Sequence, residues 1–590
     1  MYSYKKNVNF RLLSVAVGLL FSVVTNGAEA QNVFIRNAMI FDGTGAEPYS
    51  ANVLIKQGRI VKIGTKFKVT SAVEQIDAKG MALLPGLIDI HTHWTPEGEP
   101  EAFPEIAKSY VLHGITTVND FHASPESYQA KQEWLQTMTT PHVNYAARVS
   151  TPGGHGAVWG GQNMTRWIST PADASRAIEQ LILYKPDVIK IFADGWRYGN
   201  SAENTSMNED AMTELVIASH KHQLPVMAHI VTVSRAKIAA RAGVDVIVHA
   251  LQDGIADKEL VELMKKNNVI YSPSLAVYEP KPEKLVGHTP EKLAWVQRRQ
   301  AFSLYNLRTF RDAGIRIALG SDAGMEATPH GYSSLRELEL LVEAGLTPTE
   351  SLIAGTLRGA QAIKMADDRG TIEIGKRADL ILVEGKPWQN IQSIRNINTV
   401  LIDGFVVAKD GVLLTKQPGS IPLASIAEHI IDDFESPNDR SNLDTQRFNN
   451  RDSGIGRTVS ISQRFQRASN NNALSLTAIM ATNKTPEASV IIPFNRGAVV
   501  PVNASSFKGI RFDLRGEGVY FVRVNTALGT WAASVKGKAK WQTVSLPFSK
   551  LLAQNQQTPW SSKELLAIEF GGSRAAATSF WMELDNVKFY

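Results

Sequence analysis

The chain has 590 residues, of which 44% are hydrophobic and 20% charged, a balance typical of globular proteins that excludes disordered, collagen-like and coiled-coil chains. It contains no cysteine, which excludes disulfides, thiolate zinc sites, iron–sulfur clusters and a cysteine nucleophile, and leaves metal chemistry to His, Asp, Glu and Lys. The formal net charge is +5, without a dense basic run interleaved with aromatic residues, so nucleic acid is disfavoured as a partner.

The first 30 residues have the pattern of a secretory signal peptide. Lys5, Lys6 and Arg11 accompany the apolar run LLSVAVGLLFSVV, and Ala28-Glu29-Ala30 has the small-x-small pattern of a cleavage site. A membrane anchor is the alternative, but 13 apolar residues are fewer than the roughly 20 of a spanning helix. We therefore expect residues 1–30 to be removed, the protein to be exported to the periplasm or secreted, and the mature chain not to be an integral membrane protein.

Short alternating segments punctuated by glycine and polar turns occur at residues 31–82 and again at 372–420. Examples are NVLIKQGRIVKIG in the first stretch and NTVLIDGFVVAKDG in the second. The alternation predicts antiparallel strands. Because the two stretches have the same character, we expect them to pair into one small composite β-sandwich.

Residues 83–371 repeat a simpler unit, in which a helix-like stretch, a Gly or Asn and a short apolar strand follow one another. Helices that alternate with buried strands indicate a parallel sheet. The apolar runs number eight: ALLPGLIDI, GITTV, HVNYAARV, DVIKIF, LPVMAHI, VDVIVHA, VIYSPSL and IRIALG. Eight such units predict an α/β fold, the (β/α)8 TIM barrel, with an open doubly wound sheet as the alternative.

Residues 428–590 differ in composition from the preceding region. Turns rich in Asn, Ser and Gln separate predicted strands that contain aromatic residues, such as VYFVRVN and FWMELDNVKFY. Few helices are indicated. We expect a separate all-β domain there, a two-sheet jelly roll.

Candidate metal ligands follow the predicted barrel strands. His91 and His93 come directly after ALLPGLIDI, and the two-residue period of a strand turns both imidazoles to one side. Two histidines can also simply end a strand, so this pair alone is weak evidence. Four more residues lie at or just past the C-terminal end of a later strand: Lys190, His229, His249 and Asp322. Each alone would suit a core hydrogen bond or a turn, but barrel enzymes carry their active sites at this face, and six candidates converge on it.

Lys190 is the most unusual of the six, because its neighbours in DVIKIF are apolar. Burial there would desolvate the ammonium group and favour the neutral amine. A neutral amine can take up carbon dioxide and become an anionic carbamate, whose two oxygens can bridge two metals.

With these motifs the chain resembles the amidohydrolase superfamily over about residues 32–412. The resemblance rests on PGLIDIHTH, the lysine in IKI, the later strand histidines, GSDAG and GTIEIGKRADLILVEGKP. The chain is also similar to the imidazolonepropionase-like hydrolases, which include Xaa-Pro and Xaa-Arg dipeptidases. This similarity rests on the motifs TPGGHG, PHG and LVEAGLTPTESLIAGT. The resemblance implies two divalent metal ions, expected to be Zn²⁺ although manganese, cobalt and iron stay open, and carbon dioxide for carboxylation of Lys190. The implied ligands are His91, His93, carboxylated Lys190, His229, His249 and Asp322.

The resemblance also implies a mechanism and a set of substrate contacts. Two metals would share a hydroxide that attacks a carbonyl, and Asp322 would pass the proton to the leaving nitrogen. His155 and Tyr278 are candidates for holding the oxyanion or the substrate, although such loop residues more often pack at the surface. Further candidates for substrate binding are Arg197 and Arg148, which would pair with a carboxylate, and His330 of the PHG motif. Past its lysine the chain runs FADGWR, bulkier than the subgroup's small residue and paired glycines, so dipeptide specificity does not simply carry over.

The C-terminal region resembles the galactose-binding-like jelly roll of complex I intermediate-associated proteins. The residues responsible are DDFE, FKGIRFDLRGEG, WQTVSLPFSKL and ELDNVKFY. This implies a carbohydrate or protein partner for the domain, with Trp531, Trp541, Trp560 and Trp581 as residues that could stack on a sugar, although core packing is their more common role.

These features predict a metal-dependent amidohydrolase that cleaves a C–N amide bond in a small molecule: a dipeptide, an N-acyl amino acid or a cyclic amide. The alternatives are a lactonase or phosphotriesterase, because the same hydroxide attacks esters, and a non-catalytic binding protein that uses the jelly roll. A deaminase is disfavoured, because its superfamily version normally lacks the bridging lysine. The oligomeric state stays open.

Overall fold

The computed structural model of the chain describes residues 32–67, 69, 73–94, 102–157, 164–195, 205–414, 423–426, 428–451, 458–482, 486–554 and 559–590. The predicted signal peptide and the candidate Arg197 lie outside these residues. Within them, no helix is both long and apolar enough to cross a membrane.

The chain enters the fold through five short strands of one sheet: β1 (Val33–Ile40), β2 (Tyr49–Lys56), β3 (Arg59–Gly64), β4 (Glu74–Asp77) and β5 (Ala82–Pro85). The alternating apolar residues predicted from sequence explain the pairing, because Val33 faces Ile55 and Ile35 faces Val53 across β1 and β2. All four side chains are fully buried, as expected where every second residue of a strand points to the core.

The next strands are parallel and form the curved wall of a barrel: β6 (Leu87–Thr92), β7 (Ile115–Asp120), β8 (His142–Ser150), β9 (Thr165–Trp167), β10 (Val188–Phe192), β11 (Val226–His229), β12 (Val246–Val248) and β13 (Ile270–Ser272). They pair in chain order, except that β9 lies beside β8 off the main path. Seven of these strands correspond to predicted apolar runs.

The eighth predicted run, IRIALG, closes the barrel without forming a regular strand. On one side the amide of Tyr271 in β13 donates to Arg316 O, and on the other the amide of Ile90 in β6 donates to Leu319 O. The segment thus joins the last strand to the first. The fold is a TIM barrel, as the eight apolar runs predict.

Helices cover the outside of the barrel: α1 (Phe103–Leu112), α2 (Tyr128–Leu135), α3 (Pro171–Leu181), α4 (Glu209–Lys221), α5 (Val233–Ala242), α6 (Lys258–Lys266), α7 (Leu275–Tyr278), α8 (Pro282–Leu285), α9 (Pro290–Asp312), α10 (Tyr332–Glu343), α11 (Pro348–Ile353) and α12 (Gly359–Ala362). Several begin at a side chain that accepts a backbone N–H, such as Thr170 before α3 and Thr289 before α9. A π-helical turn, Ala354–Arg358, links α11 to α12.

After the barrel the chain returns to the first sheet with four strands: β14 (Leu380–Val383), β15 (Ile397–Ile402), β16 (Phe405–Lys409) and β17 (Val412–Leu413). β14 pairs antiparallel with β5, so that Leu382 faces Leu83. The two segments predicted to pair therefore share one nine-stranded sheet beside the barrel.

The C-terminal region is all-β in the described residues, as predicted. Its strands are β18 (Ala424–Ser425), β19 (Ile430–Asp432), β20 (Phe448–Arg451), β21 (Val459–Ala468), β22 (Asn471–Ile479), β23 (Glu487–Pro493), β24 (Val502–Asn503), β25 (Gly509–Arg515), β26 (Gly518–Thr526), β27 (Gly529–Gly537), β28 (Gln542–Pro547), β29 (Leu552–Ala553), β30 (Leu565–Ser573) and β31 (Ser579–Phe589). They form an eight-stranded and a six-stranded sheet around one apolar core that includes Trp531, with Trp560 packed against it. Two of the four predicted sugar-stacking tryptophans thus contribute to the core.

A buried ion pair joins the C-terminal region to the barrel. Arg440 donates two hydrogen bonds, of 3.0 and 2.7 Å, to the two carboxylate oxygens of Glu126, whose side chain is 6% exposed. Gly497 lies against the same loop, where an added Cβ would come 2.5 Å from the Cα of Ser127. The two segments are too close at this point for any residue other than glycine at position 497.

Replacing Arg440 with alanine is expected to lower the free energy of unfolding by ~3–5 kcal/mol, because the Glu126 carboxylate stays buried without its cation. Urea unfolding followed by tryptophan fluorescence measures this loss. The double variant with Glu126→Gln should lose less than the two single changes together. A loss below ~1 kcal/mol in Arg440→Ala would show that water replaces the guanidinium at this contact.

Candidate metal centre and substrate cavity

The ends of the barrel strands bring the six predicted metal ligands together. His91 is the penultimate residue of β6 and His93 lies just beyond the strand, while Lys190 lies inside β10. The others end or follow their strands: His229 at the end of β11, His249 after β12 and Asp322 after the closing segment. All six are between 0% and 6% exposed.

Asp322 is at the centre of the cluster. Its Oδ1 lies 3.2 Å from Nε2 of His91 and 3.0 Å from Nε2 of His93, and its Oδ2 lies 3.9 Å from Nδ1 of His249. Nζ of Lys190 lies 3.3 Å from Nε2 of His91. The rings of His229 and His249 are 4.2 Å apart between centroids, which places His229 on the same side. The side chains of all six residues therefore border one small volume.

The donor set fits a divalent metal. Oδ1 of Asp322 is buried and has no hydrogen-bond partner within the described residues, although two imidazole nitrogens face it. A buried oxygen in this state costs ~1–3 kcal/mol, and lone pairs that face one another repel. A cation among these atoms removes both costs, and imidazole with carboxylate is a donor set that zinc and similar metals bind.

The electrostatics of the cluster also favour metal binding. Burial lowers the pKa of His91, His229 and His249 well below the ordinary value, so these imidazoles are neutral, the form that binds metal. Burial lowers the pKa of Lys190 to about 7, with the nearby Asp322 acting in the opposite direction. The predicted desolvation of this lysine is present in the structure.

The backbone at the cluster is unusual. His249 and Asp322 have positive φ angles of 81° and 58°, in the left-handed region that residues with side chains seldom adopt. Gly324 two residues on has a φ of 98°, and an added Cβ would lie 2.0 Å from the carbonyl oxygen of His93. Only glycine fits there, which explains the last residue of GSDAG. Strained residues of this kind concentrate at functional sites.

Asp89 supports the cluster from below and was not among the sequence candidates. Its carboxylate accepts hydrogen bonds from the amides of His91 and Ser321, both at 3.1 Å, and from the hydroxyls of Ser321 and Ser334 at 2.5 and 2.6 Å. It therefore ties the first barrel strand to the closing segment and to α10. A charged residue inside the apolar run LIDI was the available sequence signal.

A cavity of about 730 Å³ extends from the cluster to helix α9. Tyr278 lines it and forms a 2.9 Å hydrogen bond between its hydroxyl and Nδ1 of His249. His155 lines it too, with its ring stacked on that of His229 at 4.2 Å between centroids. Both predicted substrate contacts therefore border the metal ligands.

The other predicted substrate contacts are placed differently. His330 is not among the residues that line the cavity, and its Nδ1 bonds the hydroxyl of Tyr110 at 2.8 Å. Arg148 is 5% exposed and directs its guanidinium to the backbone oxygens of Met164 and Phe121. The substrate-binding role of His330 stays a prediction, and Arg197 lies outside the described residues.

Comparison with protein families agrees with the metal site that the geometry indicates. A family model described as "Amidohydrolase family" matches residues 82–407, which contain all six candidate ligands. The chain belongs to the amidohydrolase family. Members of this family use divalent metals, and the chain is a metal-dependent hydrolase that acts on C–N bonds.

Individual relatives of this amidohydrolase are distant. Imidazolonepropionase of Shouchella clausii is 25% identical over 381 residues, covering 59% of this chain and 82% of that protein. Adenine deaminase 1 of Latilactobacillus sakei is 25% identical over 410 residues, covering 68% of this chain and 61% of that protein. A crystal structure of a Xaa-Pro dipeptidase with bound methionine superposes with a TM-score of 0.57 and 24% identity, over 64% of this chain and 99% of that one, which supports the fold.

Glu337 of α10 holds the segment that carries Tyr278. Its carboxyl oxygens accept hydrogen bonds of 2.9 and 2.7 Å from the backbone N–H groups of Leu275 and Ala276, at the start of α7. Burial is the largest influence and raises the pKa of Glu337 to about 8, although these hydrogen bonds act in the opposite direction.

Because the pKa of Glu337 is higher in the folded chain, the folded state binds a proton that the unfolded state has lost between pH 4.5 and 8. Stability is therefore expected to fall as pH rises through this window, by ~1.4 kcal/mol per pH unit from this group. Glutamine cannot titrate, so Glu337→Gln should lose this part of the dependence of stability on pH. In thermal unfolding, its melting temperature should therefore rise relative to that of the wild type from pH 5 to pH 8. Parallel pH profiles for the two proteins would contradict the prediction.

Proposed function

We propose that this amidohydrolase hydrolyses the amide bond of a dipeptide, an N-acyl amino acid or a cyclic amide at a binuclear zinc centre. The observation that carries the proposal is the complete set of six buried ligand side chains, Asp322 and five others, at the mouth of the barrel. Lys190 distinguishes this set from that of a one-metal deaminase, because its buried Nζ lies 3.3 Å from Nε2 of His91 and, once carboxylated, would supply oxygen ligands for a second metal.

The residues around the cluster define the chemistry. Bound metals would supply an activated water and polarise the substrate carbonyl. Asp322 takes the proton of the attacking water and hands it to the leaving nitrogen, since its carboxylate lies among the ligands, with Oδ1 near His93 and Oδ2 towards His249. Tyr278 holds His249 by a hydrogen bond, which keeps the tyrosine hydroxyl at the edge of the cluster as the proposed donor to the oxyanion. His155, stacked on His229, borders the same space.

The N-terminal segment is proposed to direct the enzyme out of the cytoplasm. The basic start, the apolar run and Ala28-Glu29-Ala30 support removal of residues 1–30. N-terminal sequencing of the protein from its native cells should start near Gln31 and find it outside the cytoplasm. An intact Met1 on active cytoplasmic protein would overturn this assignment.

The test of the proposed activity combines metal analysis with a substrate screen. Mature protein purified with zinc and bicarbonate is expected to hold about two metals per chain and to hydrolyse members of a library of dipeptides, N-acyl amino acids and cyclic amides. His91→Ala should lose both metal and activity. Fewer than one metal per chain together with unchanged hydrolysis in His91→Ala would refute the proposal, and hydrolysis of lactones or phosphotriesters alone would reassign the bond that is cleaved.

A further inference from the structure

A second group of side chains that can bind a metal lies at the opposite end of the barrel from the cavity. His142 is the first residue of β8, Asp379 directly precedes β14, and Asp403 lies in the turn between β15 and β16. Lys190, one of the six candidate ligands, pairs with Arg148, six residues further along β8, so the two groups are ~20 Å apart along the strand. The second group is therefore separate from the proposed catalytic centre.

The three side chains of this second group turn ligand atoms towards one another. Nε2 of His142 lies 3.2 Å from Oδ2 of Asp379 and 3.7 Å from Oδ2 of Asp403. One ligand atom from each of the three side chains lies within 4.8 Å of the other two. Ligand atoms at bond length from a tetrahedral zinc ion are ~3.4 Å from each other. The two distances from Nε2 lie on either side of this spacing.

Asp379 has a buried carboxylate oxygen that lacks a hydrogen bond. Its side chain is 3% exposed, and Oδ2 has no hydrogen-bond partner within the described residues. The other oxygen, Oδ1, accepts the backbone N–H of Asp403 at 2.8 Å and has a long contact of 3.5 Å with Nε2 of His142. A buried carboxylate oxygen without a donor costs free energy, and a cation bound at Oδ2 would remove this cost.

Two arginines approach this group and hydrogen-bond beside it. Nη1 of Arg369 lies 3.7 Å from Oδ2 of Asp379, beyond hydrogen-bond distance, and donates to the hydroxyl of Thr117 at 2.8 Å. Arg377 donates to Oδ1 of Asp403 and not to Oδ2. In each carboxylate, therefore, an N–H donor fixes Oδ1 while Oδ2 faces the group. Hydrogen bonds of this kind orient carboxylates that bind metals.

The donor set favours zinc among the common divalent cations. One imidazole nitrogen and two carboxylate oxygens suit zinc, whereas calcium takes about 6–8 oxygen ligands and magnesium gives up its waters reluctantly. The side chains of His142 and Asp403 are 24% and 41% exposed, so an ion can enter from solvent and keep water as a further ligand.

We propose that His142, Asp379 and Asp403 form a structural zinc site that fastens the nine-stranded sheet to the base of the barrel. His142 belongs to the barrel sheet, whereas the two aspartates adjoin strands of the nine-stranded sheet. His142 and Asp379 are 237 positions apart in sequence. A metal that joins such distant segments restricts the unfolded chain and thereby stabilises the fold. The site takes no part in hydrolysis and is independent of the proposed function.

Crystals of the mature chain grown with excess Zn²⁺ locate the ion directly. Anomalous difference density at the zinc absorption edge is expected between the three side chains, apart from any density at the mouth of the barrel. Absence of density between His142, Asp379 and Asp403 with zinc in excess would overturn the proposal.

Zinc titration of the metal-free mature chain tests the same site in solution. Wild type is expected to bind one zinc ion more than His142→Ala, in addition to the metals of the barrel mouth. Loss of one ligand should weaken binding at this site by ~100-fold or more, since loss of an outer hydrogen-bond partner alone costs ~10–100-fold. Asp403→Asn keeps an oxygen for Arg377 and changes an exposed side chain, and it should also lose this ion. Hydrolysis should stay unchanged in both variants.

His220→Ala is the matched control. Nε2 of His220 also contacts an aspartate, Oδ2 of Asp245 at 2.7 Å, but this pair belongs to neither group of candidate metal ligands in the described residues. The control should bind as much zinc as wild type, and zinc should raise its melting temperature as much. The rise should be smaller in His142→Ala.

The outcomes distinguish a metal site from an ion pair. If His142→Ala binds as much zinc as wild type and lowers the melting temperature equally with and without zinc, His142 and Asp379 form an ion pair and the zinc site is wrong. If wild type hydrolyses no amide but shows zinc between the three side chains, the proposed function fails and this site stands.

Discussion

Replacing Asp322 with asparagine is expected to lower kcat by ~10²–10⁴-fold, the range of a general acid–base group. Asparagine keeps the shape of the side chain and one oxygen facing His91 and His93, but it cannot accept a proton. Oδ1 of Asp322 lies 3.2 and 3.0 Å from these imidazoles, so the variant retains contacts within the cluster. The loss should therefore appear in kcat rather than in the fold.

The metal content and the melting temperature of Asp322→Asn should be measured together with its kinetics. A variant that keeps its metal and its melting temperature but loses kcat identifies a proton carrier, whereas one that recovers activity with excess zinc identifies a ligand only. Asp253→Asn changes an exposed carboxylate on the barrel rim outside the cavity lining, and it should stay within ~2-fold of wild type. More than a tenth of wild-type kcat in metal-loaded Asp322→Asn would exclude the proton-carrier role.

The candidate metal ligands could be predicted because each lies in a barrel strand or directly after one. A parallel barrel turns all its strand ends to one mouth, so local sequence position is enough to bring His91, Lys190 and Asp322 together. Position along a strand does not predict the contacts of residues elsewhere in the chain. IRIALG was predicted as a strand, yet it forms isolated hydrogen bonds to β6 and β13, since pairing depends on two neighbours distant in sequence.

The substrate side of the site shows where sequence reasoning stops. His155 was predicted from the TPGGHG motif and Tyr278 from its place after VIYSPSL, and both line the cavity. The hydrogen-bonded pair of Gln252 and Arg299 in the cavity wall joins a loop and a helix 47 positions apart, and neither residue has a distinctive local pattern. The substrate-binding role of His330 came from its motif and stays a prediction, since the structure shows its hydrogen bond to Tyr110 and no substrate. Side-chain direction at a helix or loop depends on packing that the local sequence does not encode.

Replacing Lys190 with alanine is expected to remove about one metal ion per chain and to lower kcat/KM by ~10²–10³-fold, because one metal alone provides only part of the charge stabilisation. The lysine is fully buried, with Nζ 3.3 Å from His91 and 4.4 Å from the ring centre of Phe121. Its removal leaves a space beside the cluster of about the size of a short carboxylic acid.

Acetate or propionate should enter that space and restore metal content and activity in Lys190→Ala, since either supplies the two oxygens that a carbamate would supply. Lys131 offers a matched control, because it is also a buried lysine, 2% exposed, but lies 3.8 Å from Asp120 and not among the six ligands. Lys131→Met should show no rescue by acetate. Full activity in Lys190→Ala without added acid would show that the lysine is a packing residue, and loss without rescue at restored metal content would show that the amine itself, rather than a carbamate, is required.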